Sequence, residues 1–220
     1  ISVDGTSGAA VSVSLNLTRT SADIGTKWNN AYYMKGYITD LSLKTTTIST
    51  SVPTERVGST NATLQIYHLP YFADGSNNNH TITVYGDPTI EPFSPYDYSE
   101  YSKADHGGSI YFDGSGDYLT VPQSADFQLG VTGTINFWMW IDKTTNASIL
   151  SGYNNAHSLH IYCQNNFNVE WRDNFNDYKS ISAIALRQKT WTYVSIVRTG
   201  TTVKVYFNGI EKGSLTVPSN

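Results

Sequence analysis

GGSIYFDGSGDYLTVP, residues 107–122, decides how this chain is read. Ile110 and Phe112 alternate with Ser109, Tyr111 and Asp113, the period-2 pattern of a half-buried strand. Gly114-Ser115-Gly116 interrupts the run, and Tyr118, Leu119 and Val121 begin another. Two short strands joined by a glycine-rich break predict a hairpin. The stretch reads like the opening of a domain, yet it stands at mid-chain.

Outward from it, similar patterns recur at short intervals. Strands are predicted at 64–67, 81–85, 109–113, 117–121, 134–141, 148–151, 158–162, 168–172, 191–198 and 201–207, with turn residues between them. In TTVKVYFNGIEKGSLTV, Val203, Val205 and Phe207 share one face, and Asn208-Gly209 is a strong hairpin signal because both residues tolerate positive φ. TINFWMWI (134–141) is apolar on both faces. Ile135, Phe137, Met139 and Ile141 line one side, while Trp138 and Trp140 join Asn136 on the other. Such a strand is central, in a sheet whose second face is covered or binds something; burial is the expectation for both tryptophans. Pro88, Pro92 and Pro95 exclude a central strand from residues 86–106, which read as a long crossover loop. Residues 44–61 read as a polar linker.

Composition agrees with an all-β chain. Charged residues are only 15% of the 220, hydrophobic ones 39%, and tyrosine alone supplies 16. A net charge of −4 gives no basic footprint for nucleic acid, and no apolar run is long enough to span a bilayer. Cys163 is the single cysteine, so no internal disulfide forms and assembly in a reducing cytoplasm is favoured. The chain starts at Ile1 without a signal peptide, as a processed form or an excerpt would.

The sequence offers few residues in catalytic patterns. His157 and His160 lie three apart, on opposite faces of a strand, and cannot chelate one ion together; surface or hydrogen-bonded histidines are the expectation. DGSNNN (74–79) imitates the start of a calcium loop, but Asn79 and Tyr85 stand where an EF-hand needs glycine and glutamate. It is read as a turn. No nucleophile elbow, zinc-protease motif or phosphate loop occurs. The acids are scattered in turns rather than paired for glycoside hydrolysis, so a non-enzyme is expected. The four sequons, at Asn16, Asn61, Asn79 and Asn146, are read as chance in so Asn- and Thr-rich a chain.

Several stretches resemble one family. SIYFDGSGDYLTVPQSADFQLGVTGTINFWMWI is similar to the opening of laminin-G-like, concanavalin A-like jelly-roll modules. WTYVSIVRTGTTVKVYFNG resembles their W-x-x-V-x-I-V-R and V-x-V-Y-x-N-G strands, and NATLQIYHLPYFADGSNNNHTITV their first strand. KGYITDLSL (35–43) is similar to the family's final strand, G-x-I-D-D-L-R-I, with Thr39 in place of an acid and Ser42 in place of the arginine. The resemblance implies a two-sheet antiparallel jelly-roll sandwich. Residues 1–43 would be the final strands of such a module and 62–220 its first and central strands, joined by 44–61. VSVSLNLT (11–18) and 35–43 would then pair with strands of 62–220, closing the same sandwich or that of a neighbouring copy.

Such repeats, Asn- and Thr-rich with few cysteines, resemble those of structural and fibre proteins of tailed phages. A non-enzymatic virion module is therefore expected, partnered by its own copies or other virion proteins and by a host-surface glycan; an extracellular polymer or secreted glycan-binding module is the alternative. Trp28, Tyr153, Trp171 and Asn174 sit in or beside polar turns and are the expected ligand contacts, against a reading in which Trp28 and Trp171 anchor the core. Asp113, Asp117 and Asp40 are the expected ligands of a structural calcium, against a reading in which they cap turns.

Overall fold

The computed structural model describes residues 2–3, 6–7, 21–27, 32–56, 58, 60–66, 72–98, 102, 107–127, 129–142, 145–152, 158–174 and 177–217. VSVSLNLT lies outside them. The strands in chain order are β1 (Ser2–Val3), β2 (Thr6–Ser7), β3 (Ser21–Ile24), β4 (Lys35–Lys44), β5 (Leu64–Ile66) and β6 (Thr83–Tyr85). There follow β7 (Thr89–Glu91), β8 (Ser109–Asp113), β9 (Tyr118–Pro122), β10 (Thr132–Ile141), β11 (Ala147–Ser151) and β12 (Ser158–Gln164). The last are β13 (Asn166–Asn174), β14 (Asp177–Ile184), β15 (Thr192–Thr199), β16 (Thr202–Phe207) and β17 (Ile210–Thr216).

Two antiparallel sheets form the sandwich. Sheet I runs β17-β16-β15-β10-β4-β8-β7, with β5 also on β4; sheet II runs β14-β13-β12-β11-β3-β9-β6. Alternation places Ile135, Phe137 and Met139 of sheet I, and Leu159, Ile161, Phe167 and Val169 of sheet II, in one shared core. The Phe167 and Phe207 rings meet edge to face at 5.0 Å. Among the described residues Thr89–Glu91 pairs only with β8, an edge position compatible with its flanking prolines.

The 107–122 stretch is not a hairpin. Its first strand, β8, pairs with β4 and β7 in sheet I, and its second, β9, pairs with β3 and β6 in sheet II. Gly114 (φ 92°) and Gly116 (φ 83°) turn a corner between the sheets instead. The β6–β7 connection crosses between the same sheets at Gly86 and Asp87. Asp117, 1% exposed, fastens both corners: one carboxylate oxygen accepts the Asp87 N–H (2.8 Å), the other that of Asp113 (3.1 Å).

Residues 21–44 take the middle of both sheets. β3 lies between β11 and β9, and β4 between β10 and β8, all within the one chain. Gly36 permits this: a Cβ there would stand 2.1 Å from the Trp140 carbonyl oxygen. Between Thr39 and Ser42 the register with β10 shifts, and Asp40 adopts φ 52°. That bulge turns the Asp40 carboxylate outward onto the Tyr96 hydroxyl, 2.5 Å away.

Candidate functional site

The outer faces of the two sheets differ, and the difference locates the site. On sheet I, Trp138 is 8% exposed beneath Tyr96, whose hydroxyl accepts the indole N–H at 3.1 Å while donating to Asp40. Burial and then the Asp40 carboxylate drive the Tyr96 phenol far above its usual range. Beside it Tyr37, Phe93, Trp140 and Trp191 pack together at ring separations of 4.8–6.4 Å. The connection at 47–49 ties down the end of β10: Thr134 Oγ1 donates to the Thr47 carbonyl and accepts the Ser49 N–H. Above β10 this face is covered in part: Trp138 is buried, as expected, whereas Trp140 is only half-buried, and toward β15 and β16 the face opens into a second cavity lined by Ile48, Val197, Lys204 and Tyr206.

On sheet II the outward residues of β12 and β13 are His160, Tyr162, Gln164, Asn168, Glu170 and Arg172. With Lys27, Tyr32, Asn146 and Ala147, four of them (His160, Tyr162, Gln164 and Glu170) line a cavity of about 210 Å³. Each wall has a local cause. Strand register sets His160 directly opposite Glu170. His160 is 5% exposed, and its Nε2 lies 3.1 Å from Ser148 Oγ. That hydroxyl donates its own proton to the Thr26 carbonyl (2.9 Å), so Nε2 must be the protonated ring nitrogen and Nδ1 is left as an acceptor. Burial first, and then the charges of Lys27 and Arg172, bring the imidazole pKa down to about 3, so it stays neutral. Its ring stacks on Tyr162, 16° from parallel at 4.4 Å.

Arg172 Nε donates to Glu170 Oε1 at 2.5 Å. Lys27 Nζ stands 5.1 Å above the centre of the Tyr32 ring. Burial lowers the Lys27 pKa, and the Glu170 charge opposes that shift. Tyr32 itself has φ 65°, an uncommon conformation for a bulky residue, fixed by the Ser148 N–H bonding its carbonyl at 2.7 Å. The result is a pocket with two tyrosines, two amides, a cation, a carboxylate and a neutral imidazole.

Of the expected ligand contacts, Trp171 is corrected. It follows Phe167 and Val169 on the inward face of β13, is 2% exposed, and carries the Arg198 guanidinium 5.1 Å from its ring centre. Arg198 is itself buried and donates to the Leu129 and Gly200 carbonyls, so the pair plugs one end of the core. Trp28 and Tyr153 lie outside the described residues, as does the side chain of Asn174, the last residue of β13.

The expected calcium set is corrected too. Lys35 faces Asp113 across β4 and β8, and Asp40 lies five residues along the strand, about 16 Å away at the usual rise. Its carboxylate is engaged by Tyr96. The carboxylate that does stand beside Asp113 and Asp117 is that of Asp87, the oxygens of the three lying within 4.8 Å of one another. Burial, chiefly, raises the Asp117 pKa, and its two backbone donors oppose that. Asp113 accepts the Ser115 N–H at 2.6 Å, while Asp87 and Asp113 are otherwise exposed to solvent. DGSNNN is a turn: both oxygens of buried Asp74 are taken, by the N–H groups of Gln65, Ser76 and His80 and by the Ser76 hydroxyl. The sequon residues Asn61, Asn79 and Asn146 all have positive φ, a turn role for asparagine.

Lys27, Tyr32, His160 and Glu170 were not among the expected contacts. The signal available was the alternation in HSLHIYCQNNFNVEWR, where polar and aromatic residues interleave with Leu159, Ile161, Phe167, Val169 and Trp171.

Residues 113–220 match the family described as the Concanavalin A-like lectin/glucanases superfamily. Among solved structures, the chain is similar to the crystal structure of the binding domain of botulinum neurotoxin serotype D/C, at 20% identity and a TM-score of 0.50. That likeness covers 68% of this chain and 37% of the toxin chain. Comparison with curated protein sequences gives no match. No helix among the described residues is long and apolar enough to cross a membrane. Two antiparallel sheets, their connections and these likenesses together make the fold a concanavalin A-like jelly-roll sandwich.

Proposed function

We propose that the chain is a non-catalytic glycan-binding module and that the cavity on the outer face of sheet II is its binding site. The observation that carries this is the lining: on the outer face of sheet II a small cavity combines aromatic rings with amide, carboxylate and ammonium groups. Sugars present apolar ring faces for stacking and hydroxyls for such partners. At about 210 Å³ the space is below the roughly 300–1,000 Å³ of sites for drug-sized ligands, which suits a single sugar unit.

Hydrolysis is disfavoured here because Glu170 is the cavity's one lining carboxylate among the described residues, and Arg172 holds it. A glycosidase needs a second carboxyl about 5–9.5 Å away. The similar toxin domain is named as a binding domain, which agrees with this reading.

The composition and repeat-like motifs support placing the module in a virion protein, where it would adhere to a host-surface glycan. β17, mostly exposed and at the edge of sheet I, offers backbone for contacts with further copies. A structural calcium would be held by Asp87 and Asp113, with Asp117 behind them. A glycan array probed with the chain and with Tyr162→Ala tests the central claim. Binding lost in the variant supports it, whereas unchanged binding moves the site elsewhere. Release of reducing sugar from a bound glycan would replace it with an enzyme, and absence of the chain from purified particles would remove the virion role.

A further inference from the structure

The same cavity also carries charged side chains. Lys27 lines it, and Arg172 stands on the same outer face of β13, two residues beyond Glu170. Arg172 and Glu170 form a close ion pair, Nε to Oε1 2.5 Å, whose side chains are 22% and 14% exposed. Among the described residues that line the cavity there is therefore one cation, Lys27, and one carboxylate, Glu170, and Arg172 beside the cavity holds that carboxylate. The other polar groups do not alter the balance: Tyr32, Tyr162, Asn146 and Gln164 are uncharged, and His160 is neutral, donating through Nε2 to Ser148. Glu170 divides its charge between Arg172 in direct contact and Lys27, on which burial still dominates. The Lys27 ammonium is held above the Tyr32 ring, and the strained Tyr32 backbone is pinned by Ser148, so the cation's place is built into the fold.

We propose that the cavity selects a sugar unit carrying one negative charge, seated with its anionic group against Lys27 and its hydroxyls toward His160 Nδ1, Gln164 and Asn146. The inference rests on the cavity being a glycan site and adds the charge class of the glycan. A uronic acid and a sialic acid share this chemistry. A charge-assisted hydrogen bond is worth about 1.5–3 kcal/mol, so the acid should bind about tenfold or more tightly than its neutral counterpart.

The test is a titration of the whole chain, followed by chemical-shift changes, with matched pairs: methyl glucoside and methyl glucuronide, methyl galactoside and methyl galacturonide, lactose and sialyllactose. The expected result is a preference of about tenfold for an acid in at least one pair, shrinking as salt rises. In Lys27→Gln the acid-to-neutral ratio should fall to about one, while Lys204→Gln, the same charge change on sheet I, should keep it. Which pair shows the preference distinguishes uronic from sialic acid. Equal affinities within every pair, with binding abolished by Tyr162→Ala, would overturn the charge assignment and leave the glycan site standing. A preference that survives Lys27→Gln would overturn it as well. No binding of any of the six would overturn both.

Discussion

Sheets I and II carry outer faces of opposite kinds. On sheet I, Trp138, Trp140 and Tyr37 face outward and pack against Tyr96 and Phe93. On sheet II, His160, Tyr162 and Glu170 face outward with a cavity above them. The aromatic residues are the more conspicuous in the sequence, yet they mark the face the chain covers for itself. Polar residues interleaved with a core-facing row mark the face left to a ligand.

Trp171→Ala probes the comparison hardest, since it asks whether a tryptophan from the open sheet belongs to the ligand face or to the core. Truncating a fully buried tryptophan should cost about 3–5 kcal/mol, and urea unfolding measures it. A loss below about 1 kcal/mol would return Trp171 to the ligand contacts.

A second test exploits the buried neutral imidazole of the open face. Unfolded, His160 titrates near its ordinary value of 6.5; folded, it stays neutral down to about 3. Between those values the unfolded chain binds the extra proton. Stability is therefore full above about pH 6.5 and falls as pH drops toward 3, by up to on the order of 4 kcal/mol. His160→Asn should flatten that acid limb in melting curves taken across the range. An equally steep limb in the variant would show that other groups govern it.

The covered face answers to Tyr96→Phe, which removes a hydroxyl that bonds both Asp40 and Trp138. Leaving those buried partners unsatisfied should cost about 1–3 kcal/mol. If the cost is negligible, the roof is held by ring packing alone. Smallest of all should be calcium, at a corner belonging to neither face. For a site with Kd of about 0.1–1 mM, 1 mM calcium adds about 0.4–1.4 kcal/mol. Differential scanning calorimetry with and without chelator reads it. Asp113→Asn should abolish the gain and Asp40→Asn should leave it intact; an unchanged melting temperature on chelation would dismiss the ion.

What the sequence made legible follows from how local each feature is. β16 and β17 meet at Asn208 (φ 49°) and Gly209 (φ 77°), a hairpin written into two adjacent residues. DGSGD is equally local in its demand for positive φ, but turn residues do not say which sheet receives the next strand. A corner and a hairpin therefore read alike. β14, DYKSISAI, lacks clean alternation and bends at Ala183 (φ 59°), so it was not among the expected strands. The cavity draws on residues 27, 32, 146, 160 and 170, which only the completed sheet brings together. Trp171 is a different case: its alternation with Phe167 and Val169 was visible, and its nearness to a polar turn masked it.

The central place of β4 also sets a schedule for synthesis. Ile38, Leu41 and Leu43 leave the ribosome roughly 100 residues before β10, the strand that pairs beside them in sheet I. At about 5–20 residues per second, that is a wait of about 5–20 s. Throughout it the chain carries an apolar, aggregation-prone segment that no earlier strand shields on both sides. Stalling translation between residues 45 and 130 should therefore be where chaperones capture nascent chains most.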